Sequence, residues 1–507
     1  MKNQLKAGAL ISYANLLIGN IIPFVYTPIM LRLLGQAEYG LYGIANSIMG
    51  YIGLLNFGIG GTIVRYLSKY RAEGDREQEA RVAGLFLKIY SVVCVLILTA
   101  GFIFAANVEV YSRSLLPEEV RTLRSLVILM TLNTAIFLPF GVFNSIVIAY
   151  ERYIFSKLVG VLATLLSPIL HLILLYMGYG SVGLVIGSTL LNVVTYGLYA
   201  WYALGRLKIR PSFKPAGKGL LREILKFSAF VFLASIVDTL YWTTDKLIIG
   251  WARGTKETAV YNIGATFNTY LTGLSSAISG LLVPKLTQMV VKDTPKEEFT
   301  RIFIKVGRLQ FIIVSFIVSA FVAFGRQFIA LWAGPEYHLS YHIALLTMIP
   351  VTIPLIQNTG INILYALNRH QFRSTVYTCI AVLNVVLTFW WVERYGIIGA
   401  AMATCIAYVI GNILIINWYY HRHIGIDIPL FWKNIVQMAP VMFIMGVVGW
   451  FVLDRLTVNS WLTFFAAAAV YTAVYFPLAY GFMMNQSERE LIRGPLRRIL
   501  KKLKHSK

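Results

Sequence analysis

The stretch DTLYWTTDKLIIG, residues 238–250, places two carboxylates and an ammonium inside a run of mostly apolar residues from Phe227 to Ala252. Asp238 and Asp245 are seven apart, so on a helix they share a face, with Tyr241 and Trp242 between them. Lys246 follows directly. A carboxylate at the centre of a bilayer costs about 2.5–3.5 kcal/mol on insertion scales. Its side chain is too short to reach the interface. Such a face looks at water or at another protein group rather than at lipid. Two chemistries fit it. One is a cavity lining that meets a polar solute or takes up a proton or cation. The other is a buried polar contact that locks two helices together.

Other residues raise similar choices. Arg32 and Arg65 lie near span ends, as Lys246 does. Each could anchor at the interface or contact an anionic group. The segment IPVTIPLIQNTGIN (349–362) sets Gln357, Asn358 and Asn362 behind two prolines. Amides at mid-span either bond across helices or meet hydroxyls of a solute. Asn15, Asn20, Asn46 and Asn56 pose the same question. His338 and His342 have helical metal spacing but no third ligand, so no metal is expected. Cys94, Cys379 and Cys405 are scattered through apolar runs, giving neither a disulfide framework nor a cluster. No GxxxxGK[ST] loop occurs, so no ATP motor is expected, and no cofactor. No catalytic set stands out, so the chain does not read as an enzyme.

The elements that must hold these residues are membrane spans. The chain has 507 residues, 58% hydrophobic and 13% charged, with a mean hydropathy of +0.68. Soluble domains are about a quarter charged. A span needs roughly 20 apolar residues. About 14 such stretches run from residues 9–31 to residues 460–483. The first apolar run, about Ala7 to Leu34, is too long for a signal-peptide core and reads as the first span. With the N-terminus inside, internal segments carry 35 Lys/Arg against 12 Asp/Glu, and external ones 10 against 9. This asymmetry predicts a multi-pass protein of the cell (cytoplasmic) membrane with both termini in the cytoplasm. The net charge of +23 is then topology, not a nucleic-acid footprint. Basic segments at 205–226 and 497–507 would meet anionic membrane lipids.

The sequence also repeats. Ala149, Arg152 and Phe155 meet Ala366, Arg369 and Phe372 at an offset of 217. Tyr179-Gly180 and Gly183 meet Tyr395-Gly396 and Gly399 at 216. Residues 31–45 meet 246–264, with four extra residues in the second loop. Fixed-offset similarity is the mark of duplication. The fold expected is an all-α membrane protein: two six-helix lobes related by a pseudo-twofold axis along the membrane normal, plus two C-terminal helices. The lobes would be residues 1–205 and 227–423, joined by a basic cytoplasmic linker at 206–226. Helices 13 and 14 would occupy 424–484, and a basic tail 485–507.

The phrases RLLGQAEYGLYGIA (32–45), DKLIIG (245–250) and ALNRHQF (366–372) resemble the polysaccharide-transporter, or oligosaccharide flippase, family. Its superfamily also holds multidrug-and-toxin extrusion pumps and lipid II flippases. The resemblance implies two lobes forming a V around a cavity open to one side at a time. It implies a cargo of undecaprenyl-diphosphate-linked oligosaccharide, moved from the cytoplasmic to the outer leaflet for surface polysaccharide such as capsule or exopolysaccharide. Cationic cavity residues then serve the diphosphate, with Arg32, Arg65 and Lys246 as candidates. Asp238 and Asp245 could neutralise them or act as a proton or sodium site. Coupling to membrane potential is the further option, since outward transfer of negative charge is favoured by about 2.3 kcal/mol per charge per 100 mV. Other polysaccharide assembly proteins are implied as partners. An ion-coupled drug exporter or a lipid II flippase would share the fold. A polymerase or ligase should show a large external loop, but the longest external connection, 107–120, has 14 residues.

Overall fold

The computed structural model describes residues 18–494, apart from 20, 112, 218, 281, 282, 293, 368, 457 and 492. Asn15, Asn20, the first part of the first expected span and the basic segment 497–507 lie outside the described residues. Among the described residues the secondary structure is helical, with no strand.

α1 (Ile21–Leu34) ends at Gly35, which takes a left-handed φ of 76°. α2 (Gln36–Gly53) and α3 (Ile59–Glu73) follow, the second stopped by Gly74. Asp75 caps α4 (Arg76–Ala106) by accepting the Gln78 N–H at 2.8 Å. Pro117 opens α5 (Pro117–Phe137), and Glu119 reaches back to the Leu116 N–H at 2.9 Å. α6 (Gly141–Ala149), α7 (Tyr153–Tyr176) and α8 (Gly180–Trp201) complete the first half. α9 (Leu220–Arg253), α10 (Thr255–Gly280), α11 (Val283–Val291) and α12 (Lys296–Trp332) begin the second. α13 (Ser340–Ile356), α14 (Asn358–Ala366), α15 (His370–Tyr408) and the short α16 (Ile416–Tyr419) follow. α17 (Ile428–Val436), α18 (Ala439–Asp454) and α19 (Trp461–Leu478) close the described chain.

Nine helical stretches among the described residues are long and apolar enough to cross a membrane; α13 and α14, bent by 44°, make a tenth if they are one broken span. The spans expected at 227–252 and 259–284 fall on α9 and α10, which are helices of 34 and 26 residues but are not among those nine. The two spans expected at 374–392 and 397–419 lie in one stretch, Gln371–Ile424, interrupted at Gly396 with φ 60°.

Contacts divide the chain into two compact units: residues 1–262 with 388–400, and residues 263–387 with 401–507. In the first, α2 carries a stripe of small residues, Gly40, Gly43, Ser47 and Gly50. A Cβ on Gly40 would run into the Thr255 carbonyl oxygen, and one on Gly50 would lie 3.3 Å from the Thr243 methyl. Lipid tails are as apolar as leucine, so this close backbone approach, more than hydrophobicity, holds such helices. α9 lies along α2 and α3, where Thr62 and Ser228 hydroxyls meet at 3.1 Å. The residues before α9 are seated too: Ser212 N–H donates to Ala80 O at 2.8 Å, and Lys88 Nζ to Phe213 O at 2.7 Å. Residues 220–226 of the expected linker are already helix, the start of α9.

The second unit is built on the 37-residue α12. Gly446 and Gly449 of α18 pack against Val322 and Ala323. Ser315 and Tyr475 hydroxyls meet at 2.9 Å, and Phe324 stands edge-on to Tyr471 at 5.3 Å.

The two halves repeat local structure. α6 and α14 each have nine residues and start 217 apart. Phe155 stacks on Tyr202 at 4.1 Å, and Phe372 on Tyr419 at 3.9 Å, again 217 apart. Gly180 and Gly396 both take positive φ, 52° and 60°. The four extra residues near 250 are not a loop. They prolong α9 to Arg253, because nothing breaks the helix until Gly254 takes φ 87°.

Candidate functional site

The centre of the site is Asp245 on α9, 4% exposed. Tyr261 of α10 donates its hydroxyl to Oδ2 at 2.7 Å, and Thr388 of α15 donates to Oδ1 at 2.9 Å. Both carboxylate oxygens thus hold a neutral donor. A buried carboxylate without such bonds would be strongly disfavoured. The preceding residue, Thr244, donates to Leu240 O at 2.6 Å and shares a very short hydrogen bond with the Tyr51 hydroxyl of α2. Residues 244–245 therefore gather four helical segments of the first unit, from α2, α9, the start of α10 and the 388–400 part of α15.

The other predicted residues of α9 spread around this point. Asp238, two turns earlier, is exposed. Tyr241 is buried and stands edge-on to Trp242 at 5.3 Å, whereas Trp242 is 43% exposed. The shared face is thus sealed at Asp245 and opens towards Asp238 and Trp242. Arg32 and Arg65 are exposed and Lys246 is half-buried. Arg65 lies over the Phe227 ring at 4.7 Å. None of the three forms an ion pair among the described residues.

Beyond Asp245 the first unit is tied by a short connection, residues 107–116. Tyr111 donates to Leu247 O at 2.6 Å, and Ser114 to Trp251 O at 2.9 Å. Arg113 pairs with Glu393 at 2.7 Å and lies over the Trp251 ring at 4.8 Å. Trp251 stacks on Phe389 at 5.7 Å. Thr255 donates to Glu119 at 2.6 Å. Burial raises the Tyr111 hydroxyl pKa well above its ordinary value, so it stays a donor at any physiological pH.

In the second unit the amide belt is engaged within the protein. Gln357, 2% exposed, donates to Asn417 Oδ1 at 2.8 Å, and Trp432 donates to the same oxygen at 3.3 Å. Asn417 Nδ2 donates in turn to the Asn412 and Ile413 carbonyls, both at 2.9 Å. Asn362 donates to Ser279 O at 3.1 Å. Gln357 and Asn362 are therefore interhelical contacts here. Asn358 is half-buried beside them. In the first unit Asn46 donates to Tyr42 O at 2.8 Å, while the buried Asn56 Oδ1 has no hydrogen-bond partner among the described residues. No cluster of three metal-ligating side chains occurs among the described residues.

The polysaccharide biosynthesis protein family matches residues 5–290, more than half of the chain. The chain belongs to this family. Over 397 residues it is 21% identical to a protein described as an O-antigen transporter from Shigella flexneri, covering 77% of this chain and 91% of that one. Over 416 residues it is 20% identical to one described as a low-salt glycan biosynthesis flippase, Agl15, from Haloferax volcanii, covering 80% and 82%. Its fold is similar to that of the lipid II flippase MurJ, with a TM-score of 0.73 and 14% identity over 96% of this chain and 99% of that one. A multidrug transporter of the MATE family superposes with a TM-score of 0.61 and 15% identity, over 82% and 96%. The family resemblance read in the sequence is therefore correct, as is the all-helical membrane fold.

Sequence reasoning missed Tyr261 and Thr388. Tyr261 had a signal: counted from Gly35 and Gly254, it occupies the place of Tyr42 in the other half. Thr388 had none, being one hydroxyl in the apolar run VLTFWW.

Proposed function

We propose that this chain is a flippase that moves undecaprenyl-diphosphate-linked oligosaccharide from the cytoplasmic to the outer leaflet by alternating access, for surface polysaccharide. One observation carries this reading: membership of the polysaccharide biosynthesis family, with relatives matched over most of their length that are described as an O-antigen transporter and a glycan flippase. Arg32, Arg65 and Lys246 are the groups assigned to the diphosphate. They are cationic, in no ion pair among the described residues, and carry N–H donors suited to phosphate oxygens. Asp245 is assigned to coupling. A carboxylate held by two hydroxyls can take a proton or a sodium ion by turning those hydroxyls. The charge asymmetry of the sequence supports placement in the cytoplasmic membrane with cytoplasmic termini.

The test is depletion in the native cell with labelled lipid-linked oligosaccharide. The label should accumulate in the cytoplasmic leaflet while outer-leaflet material falls. An unchanged distribution, in cells without a second transporter, overturns the proposal. The rival reading is an ion-coupled multidrug exporter, favoured by the MATE-like fold. Drug accumulation on depletion, with glycan lipids undisturbed, would select it.

A further inference from the structure

The second unit holds a cavity of about 710 Å³ where the first turns of α12 meet residues 425–434 and 485–491. Along α12 its wall runs from Glu297 to Leu309. Glu297, Arg301, Lys305 and Arg308 belong to the charged start of that helix, and Leu309 opens its mostly apolar run to Trp332. The cavity therefore lies where a spanning helix passes from charged to apolar, which is head-group depth.

Its charges are balanced, three bases against three acids. Arg308 and Glu488 satisfy each other through two bonds, of 2.7 and 2.9 Å. Arg301 pairs with Glu298 at 2.7 Å. Lys305 and Glu297 are both exposed, and neither has an ion-pair partner among the described residues. Asp427 uses one oxygen to accept the Leu430 N–H at 3.0 Å. The other oxygen has no hydrogen-bond partner among the described residues. Asn485 uses its carbonyl oxygen to accept the Glu488 N–H at 2.9 Å, which leaves its amide N–H groups as donors. Ser487 adds a hydroxyl.

What remains is one cationic end with neutral donors, two carboxylates, and an apolar wall from Leu309, Leu430 and Leu491. A ligand carrying only negative charge would meet Glu297 and Asp427 unpaired. A quaternary ammonium has no N–H to give them. We propose that the cavity binds the head group of a zwitterionic aminoethyl phospholipid. Its phosphate sits on Lys305, Asn485 and Ser487, and its ammonium bridges Glu297 and Asp427. The apolar wall takes the glycerol and the first methylenes. The cavity volume is within the range of ordinary ligand sites. This site is separate from the transported cargo and does not depend on its identity.

The test uses the full chain in nanodiscs containing equal parts of phosphatidylethanolamine, phosphatidylcholine and phosphatidylglycerol. Lipids retained after gentle detergent release are counted by native mass spectrometry. Phosphatidylethanolamine should be retained in preference to the other two. Lys305→Ala should lower its retention about tenfold, the worth of one charge-assisted contact. Glu297→Gln should remove the preference over phosphatidylcholine. Both side chains are exposed, so both variants should keep the parent thermal midpoint. Equal retention of the three lipids, preference for phosphatidylglycerol, or indifference to both variants overturns the proposal. Displacement of the lipid by millimolar free phosphorylethanolamine overturns the lipid source and makes the cavity a site for a soluble phosphoamine.

Discussion

Tyr261 donates its hydroxyl hydrogen to Asp245 at 2.7 Å, and this bond joins α10 to α9 at a point with almost no solvent access. With Thr388 on the other oxygen, the carboxylate is fully held. Tyr261→Phe removes one donor and keeps the ring. It should lower stability by about 1–3 kcal/mol, seen as a lower thermal midpoint in detergent.

Asp245→Asn separates locking from coupling. The amide keeps the shape and one acceptor oxygen, so the helix contacts survive, but it cannot exchange a proton. Membrane abundance should stay near that of the parent while export of lipid-linked oligosaccharide is lost. Loss of abundance in parallel with export would reduce Asp245 to a helix lock.

Gly40 should tolerate no side chain. An alanine Cβ there overlaps the Thr255 carbonyl oxygen, a backbone atom that cannot swing aside. Gly40→Ala should cost about 1–3 kcal/mol, the range for overpacking. Gly53, on the same helix with open space around it, is the control. Gly53→Ala should leave the thermal midpoint unchanged.

The local repeats were legible because they rest on identities at nearly constant offsets, 217 and 216. Phe155 and Phe372, or Gly180 and Gly396, can be paired by counting, and the structure gives each pair the same local geometry. Asp245 was legible as an anomaly, since a carboxylate in an apolar run needs a reason. Its partners were not, because a hydroxyl costs little in a span and leaves no mark on hydropathy. Gln357 was ambiguous for the same cause: an amide suits a neighbouring helix as well as a solute. The face shared by Asp238 and Asp245 was correct as geometry. Helix period alone could not say that one end is sealed and the other exposed, because that depends on what packs against each turn.

Arg113 and Glu393 make a pair that should matter little by itself. Both side chains are more than half exposed, and such pairs contribute about 0–1 kcal/mol. Trp251 should matter more, since it meets Arg113 on its face and stacks on Phe389. Trp251→Ala should lower the thermal midpoint clearly further than Arg113→Ala. A double-mutant cycle should assign about 0.5–1 kcal/mol to the cation–ring contact. A coupling indistinguishable from zero would leave Trp251 as packing only.

Arg308 and Glu488 are the opposite case. They lie 180 residues apart, both buried, and are joined by two bonds. Arg308 also donates to the Met483 carbonyl at 2.8 Å and the Asn434 carbonyl at 3.1 Å, so one guanidinium fixes the chain leaving α19 against α12 and α17. Removing one partner of such a pair leaves the other charge buried and costs about 3–5 kcal/mol. Glu488→Ala should therefore sharply reduce membrane abundance and thermal midpoint. Replacing both residues with methionine removes the stranded charge but still leaves two carbonyls without their donor. The double variant should recover part of the loss and stop short of the parent. A double variant as damaged as Glu488→Ala would mean that the carbonyl bonds, not the ion pair, hold this junction.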